Sequence, residues 1–299
     1  MVMPAQIIRG RFCLKKTGRL LYRTLVVSLF AISGGILLYP TASAAWNGFV
    51  AGQRITAYEE AASEMEQNRR ERILEDARAY NRQHLFNTIA DAFDGDGSYI
   101  RTHPYDSLLD PGGDGVMGYL EIPKIQQDLV IFHGTGTTAL ERGVGHVEGT
   151  SLPVGGESTH AVLAGHRGLQ QARLFTDLDL LAEGDKFFLH VLGDVYAYEI
   201  DRISVVLPEE TQLLDIADGE DLVTLVTCTP YGINTHRLLV RGYRIPYSEK
   251  EHAEETAKAR PLDLMDISLA ALLAGITAML VIWIYMRRRT EQGEHGGKR

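Results

Sequence analysis

Only two cysteines, Cys13 and Cys228, occur in the 299 residues, alongside two tryptophans and ten prolines. So few thiols exclude a disulfide framework and an all-cysteine zinc site. Positive charge is also in deficit, with 30 Lys and Arg against 39 Asp and Glu, for a net charge of −9. That balance makes the bulk surface a poor partner for nucleic acid or anionic lipid. Internal repeats and low-complexity tracts are missing, and what remains is a globular composition, 45% apolar and 23% charged.

Long hydrophobic runs are rare too, but there are two. Residues 24–45 (TLVVSLFAISGGILLYPTASAA) and 264–286 (LMDISLAALLAGITAMLVIWIYM) are nearly free of charge and long enough to cross a bilayer as helices. Arg9, Arg11, Lys15, Lys16, Arg19 and Arg23 precede the first run, and Arg287, Arg288, Arg289, Lys298 and Arg299 follow the second. The positive-inside bias therefore places both termini in the cytoplasm and the intervening, strongly acidic part outside. The first run also fits a secretory signal, because Ala42-Ser43-Ala44 supplies a small-residue cleavage site; either version exports residues 46–262. Cys13 and Cys228 then lie on opposite sides of a bilayer about 30 Å thick, which forbids a disulfide between them. Cys228 is left as a free thiol in an exported segment, where cysteines are ordinarily paired.

The exported part divides by composition. Residues 51–89 have no proline and are rich in Ala, Glu, Gln and Arg, which predicts a helical hairpin or stalk. Residues 91–115 turn to Asp, Gly and Pro, the composition of a long loop. From Val116 onward, short β-branched or aromatic runs alternate with turn residues: GYLEIPKI, DLVIFHG, HAVLAGH, KFFLHVLG, VYAYEIDRISVV, LVTLVTC and HRLLVRGYRI. These strands, with little helix between them, predict a closed or nearly closed β-barrel. The resulting division is a basic cytoplasmic segment (1–23), an apolar span or signal anchor (24–45), a helical stalk with a loop (46–115), a barrel (116–247), a charged linker (248–263), a second span (264–286) and a basic tail (287–299).

Within the barrel, LVTLV delivers Cys228 to a strand end where Pro230 and Gly232 turn the chain, and RLLVRGY returns beside it. Cys228 and Arg237 can thereby face each other across a hairpin. A thiol has an unperturbed pKa of about 8.5 and needs a nearby cation or base to become a nucleophile. Arg237 and Arg241 both qualify, and period-two alternation puts them on one strand face, so the pattern does not choose between them. Either can stabilise a thiolate or donate to an oxyanion. For protonating a leaving amine, His166 is the best placed histidine, closing the strand AVLAGHRG between Gly165 and Gly168. The bland alternative is a small buried thiol, a structural histidine and solvated arginines.

The segments GYLEIPKI, GVGHVEGTSLPVGGESTHAVLAGHRG, LFTDLDLLAEGDKF and TLVTCTPYGINTHRLLVRG resemble the sortase family, and its class C, pilin-polymerising group in particular. The resemblance covers about residues 116–246 in order. It implies a mainly β fold, an eight-stranded sortase-type β-barrel with N-terminal helices and two flanking transmembrane helices. It places the nucleophile on Cys228, the histidine on His166 and the arginine on Arg237 rather than Arg241. The implied activity is transpeptidation: cleavage of an LPXTG-like sorting signal between Thr and Gly, a thioester on the cysteine, and transfer to a lysine amine of a second pilin. The implied setting is the membrane of a Gram-positive bacterium, with the catalytic domain extracellular and no cofactor. Class C enzymes commonly carry a lid with an Asp-Pro-aromatic motif; this chain departs from it, with Asp91-Ala92-Phe93 and a separate Asp110-Pro111-Gly112. Asp91, Phe93 and Asp110 are accordingly the candidate lid residues, against an ordinary turn-rich linker.

Other patterns are weaker. Gly134 to Ala139 (GTGTTA) follows a strand like a dinucleotide fingerprint but lacks the alternating strand and helix units around it. His160, His166 and Cys228 lack the paired spacing of a zinc site, the acidic stretch 215–221 lacks the calcium-loop pattern, and no metal is expected. His236 should point to the face opposite Arg237. Two further functional readings stand beside pilin polymerisation: a sortase anchoring single surface proteins to the wall, and a non-catalytic membrane scaffold that binds sorting signals.

Overall fold

The computed structural model describes residues 6–83, 105–169 and 171–258, with residue 275 as an isolated helical position and side chains before residue 38 described only in part. Two helices open the chain, α1 (Gln6–Ser63) and α2 (Gln67–Gln83). Eight strands follow: β1 (Val116–Ile122), β2 (Gln127–His133), β3 (Val144–His146), β4 (Thr159–Ala164), β5 (Lys186–Val191), β6 (Asp194–Val206), β7 (Asp221–Thr229) and β8 (His236–Ile245). A short helix α3 (Thr137–Arg142) lies between β2 and β3, and α4 (Glu249–Lys258) closes the described chain.

The strands form a closed barrel in the order β1-β2-β3-β4-β7-β8-β6-β5. Pairing is antiparallel except for β2 with β3 and β4 with β7. Alternation explains the layout, since every second residue of a strand faces the interior. Leu120, Ile131, Leu163, Leu189, Leu225 and Val240 fill that interior with Phe187 and Tyr198. A separate apolar cluster forms on the outer face, where Val162, Ala164, Val226 and Leu239 meet Leu140 and Leu214. Close strand approach depends on glycine at Gly118, where a Cβ would stand 2.4 Å from the His190 carbonyl oxygen.

The seven strands expected from sequence are all present, and the barrel is closed. The eighth, β3, went unread because three residues, one of them Gly145, carry no periodicity. The expected helical hairpin is also present, and it is fastened to the barrel by buried polar contacts. The Tyr58 hydroxyl donates to the Met117 carbonyl at 2.8 Å and accepts from Leu192 N–H at 2.8 Å. The Asn81 amide donates to the Leu152 carbonyl and accepts from Leu152 N–H at 3.1 and 2.7 Å. Arg70 pairs with Asp194. Residues 248–263, expected as a charged linker, are instead helical over Glu249–Lys258, because His252 and Thr256 find partners on the barrel surface.

Among the described residues no helix is long and apolar enough to cross a membrane. The first expected span, residues 24–45, is not seen as a separate membrane helix but lies inside the 58-residue α1, which contains Pro40. The second, 264–286, lies outside the described residues.

Candidate functional site

The β7–β8 hairpin sets Cys228 directly opposite Arg237, the first pairing of the ladder after Thr229 with His236. Cys228 shares the strand face of Val226, whose side chain belongs to the outer apolar cluster, and it is partly exposed. The thiol thus sits on the outer wall of the barrel at the end of an apolar floor, not in the barrel core.

His166 arrives from the neighbouring strand. β4 runs parallel to β7 with Ala164 opposite Val226, and Gly165 N–H extends the ladder to the Val226 carbonyl at 3.0 Å. His166 and Cys228 both follow by two residues the last paired positions of these adjacent strands, so the fold brings them to the same strand ends. The Thr227 hydroxyl locks this junction by donating to the Gly165 carbonyl at 2.7 Å. Glycine suits the close packing there: a Cβ would stand 2.7 Å from the Phe175 ring, which would have to shift.

Electrostatics at His166 combine two opposed influences. Half-burial pushes its pKa below the ordinary value, while the Glu141 carboxylate on α3 pulls it back up. The net lowering favours a neutral imidazole, the form that can accept a thiol proton. Arg237 Nη1 donates to the carbonyl oxygens of Asn234 and His236, both at 3.3 Å, which holds the guanidinium at the mouth of the hairpin.

The two arginines that the sequence pattern left undecided have different surroundings. Arg241 stands opposite Thr224, and its Nε and Nη2 grip the Asp201 carboxylate at 3.1 and 2.5 Å. That bidentate pair commits Arg241 to the barrel wall, whereas Arg237 lies across from the thiol.

Arg167 was not singled out from sequence, although it adjoins His166. Its Nη1 donates to the Thr229 hydroxyl at 3.3 Å, its Nη2 pairs with Asp179, and its guanidinium lies 6.0 Å from the Tyr231 ring centroid. It thereby ties the segment carrying His166 to the residue after Cys228. No periodicity signals such a role; only tertiary contact reveals it.

The remaining candidates separate from this site. Asp110 lies in the turn before β1, where its Oδ1 accepts from Asp114 N–H at 3.1 Å. Asp91 and Phe93 lie outside the described residues. His160 is buried and engaged at both ring nitrogens, with the Asp215 carbonyl at 2.9 Å and the Thr224 hydroxyl at 2.7 Å, so it is not poised to share a metal with Cys228. His236 Nδ1 meets the Thr235 hydroxyl at 2.9 Å. A cavity of about 710 Å³ opens between α1 and the barrel, lined by Trp46, Arg54, Glu121 and Arg142 among others, but by none of Cys228, His166 and Arg237.

Comparison with known proteins agrees with this architecture. The Sortase domain family matches residues 120–245. Sortase A of Streptococcus agalactiae is 33% identical over 144 residues, which is 47% of this chain and 58% of that relative, so the chain spans less than two thirds of its length. Among solved structures, sortase C1 of Streptococcus agalactiae is 46% identical with a TM-score of 0.61, covering 67% of this chain and 97% of that one. Sortase C-1 of Streptococcus pneumoniae is 42% identical with a TM-score of 0.61, covering 66% of this chain and all (100%) of that one. With a closed eight-stranded barrel, a cysteine facing an arginine across its last hairpin, and this likeness over nearly the full length of the solved class C structures, the chain belongs to the sortase family of cysteine transpeptidases, in its class C branch.

Proposed function

We propose that this chain cleaves an LPXTG-like sorting signal between Thr and Gly and joins the threonine to a lysine amine of a second pilin subunit. The observation that carries the reading is the placement of Cys228 opposite Arg237 with His166 at the matching end of the adjacent parallel strand.

In this reading His166 takes the Cys228 thiol proton, and the thiolate attacks the threonine carbonyl carbon. The tetrahedral intermediate carries its negative charge on oxygen, to which the Arg237 guanidinium donates. Collapse breaks the Thr–Gly carbon–nitrogen bond, His166 protonates the departing glycine amine, and a thioester remains on Cys228. A lysine amine then attacks the thioester, its proton passes to His166, and the thiol is restored as the new amide forms. Residues 24–45 and 264–286 would hold the enzyme at the membrane, where its exported substrates are tethered. Asp91 and Phe93 are proposed to cover the groove; deleting residues 84–104 with no change in thioester rate refutes that part.

The test mixes the purified full-length chain, or Cys228→Ala, with an LPXTG-type peptide and follows intact mass. A threonyl adduct with release of the glycine fragment is expected only when Cys228 is present. His166→Ala should block turnover, and Arg237→Lys should fail because an ammonium does not reproduce the guanidinium fork. Full activity in any of these variants refutes the role assigned to that residue. Offering a pilin lysine peptide or a wall-type amine to the adduct then separates pilus polymerisation from wall anchoring, the reading that the likeness to sortase A would favour.

A further inference from the structure

Across the barrel from the thiol, three metal-binding side chains converge. β7 lies four strands from β1 in either direction round the ring. On the outer face of β1, Glu121 Oε2 lies 3.1 Å from His190 Nε2 on β5 and 2.8 Å from His252 Nε2 on α4. The donor atoms of all three residues lie within 4.8 Å of one another. The sequence gives no hint of this, since the three positions span more than a hundred residues and show none of the paired spacing of a zinc motif.

We infer that Glu121, His190 and His252 form a binding site for a zinc-class divalent cation that clamps α4 to the barrel. Two ligand atoms on a tetrahedral zinc, each about 2.0–2.1 Å from the metal, stand about 3.3 Å apart. Both Glu121 to histidine separations fall within half an ångström of that value, so the ion enters with small side-chain shifts. Two imidazoles and one carboxylate are a donor set suited to zinc, with water in the fourth position.

The surroundings resemble the support of a ligand set. The Tyr247 hydroxyl lies 3.1 Å from His252 Nδ1 and can accept its N–H, leaving the Nε2 lone pair to face the metal. The Thr256 hydroxyl donates to Glu121 Oε1 at 3.1 Å, occupying the oxygen that faces away from the imidazoles. The Tyr119 ring stacks on His190 at 4.2 Å, and the Phe188 ring packs on His252 at 4.1 Å, fixing both imidazole planes. Charge points the same way. Asp128 is the direct cross-strand partner of Glu121, and two like charges in that position repel each other, a cost that a bound cation offsets. Because β1 and β5 belong to the barrel while His252 belongs to α4, metal would join the last described helix to the body of the protein.

The experiment uses the full-length chain in detergent, carrying Cys13→Ser and Cys228→Ala so that neither thiol contributes, and is independent of the transpeptidase reading. Zinc chloride is titrated in competition with a chromophoric chelator, and melting is followed with zinc or with EDTA. One zinc per chain is expected, with a rise in melting temperature. His252→Gln should weaken binding by about 100-fold and abolish that rise, and Tyr247→Phe, which leaves the ligands intact, should weaken it about 10-fold. Absence of competition for zinc, or an affinity unchanged in both variants, overturns the site and leaves the cluster as a hydrogen-bonded contact alone.

Discussion

Replacing His160 by glutamine probes a buried imidazole that the fold holds neutral. His160 is 1% exposed. A carbonyl only accepts, so the 2.9 Å contact with the Asp215 oxygen fixes the proton on Nδ1, and Nε2 must accept from the Thr224 hydroxyl at 2.7 Å. Protonation would place a second N–H, and a full charge, in a site already committed. Burial lowers the pKa from 6.5 to about 4, and Arg241 pushes in the same direction. The unfolded chain therefore takes up a proton at higher pH than the folded one, so stability is complete above about pH 6.5 and falls as pH drops toward about 4. At roughly 1.4 kcal/mol per pH unit, that gap amounts to about 3 kcal/mol. Glutamine can donate and accept at the same two partners but does not titrate. His160→Gln should cost about 1–2 kcal/mol near pH 7 and close or reverse that deficit near about pH 4. Urea unfolding followed by circular dichroism across this range reads both curves. Parallel curves for the two proteins, with a constant difference, would refute the reasoning. His146, whose pKa burial also lowers to about 4, supplies an internal comparison because it titrates in the same window and is untouched by the substitution.

Three further outcomes follow from contacts already described. Arg241→Lys should lose the bidentate grip on Asp201 and about 1 kcal/mol of stability while thioester formation stays within about twofold, a contrast with Arg237→Lys that mass spectrometry and thermal melts can read together. Gly165→Ala should force a methyl into the Phe175 ring, costing about 1–3 kcal/mol and slowing thioester formation by displacing His166; an unchanged melting temperature would show that the ring yields freely. Tyr58→Phe should leave the Met117 carbonyl and the Leu192 N–H without their shared buried partner, at about 2 kcal/mol, and increase hydrogen exchange along the part of α1 that packs on the barrel.

The barrel was legible because its strands advertise themselves: VYAYEI is rich in β-branched and aromatic residues, and LVTLVTC is an apolar, β-branched run ended by Pro230. β3 was not, since Val144–His146 draws its strand character from two neighbours, β2 and β4, rather than from its own residues. The same gap between local pattern and tertiary partner explains α4, whose charged sequence reads as a linker until His252 and Thr256 are seen against Glu121. Of the site, the hairpin pairing of Cys228 with an arginine was visible locally, because turn and strand lengths set the register. Alternation alone did not choose between the two arginines; the resemblance pointed to Arg237, and the ladder sets Arg237 opposite Cys228 while Arg241 stands opposite Thr224 and is taken up by Asp201. The contribution of Arg167 was invisible for the same reason: its partners come from two segments distant in sequence, Asp179 and the Thr229–Tyr231 turn of the last hairpin.

The pairing of β4 with β7, rather than with the strand that follows it in the chain, also orders events in time. Synthesis supplies β1 to β4 and His166 first, then β5 and β6, and only afterwards Cys228 and Arg237. The β7–β8 hairpin can set Arg237 opposite the thiol by itself, but until β7 inserts beside β4, His166 does not stand at the thiol's strand end. On the proposed mechanism, a newly made chain therefore carries Cys228 without its base until β4 and β7 pair, and reactivity waits for that step. If Cys228 acts as proposed, topology in this way safeguards it during biogenesis.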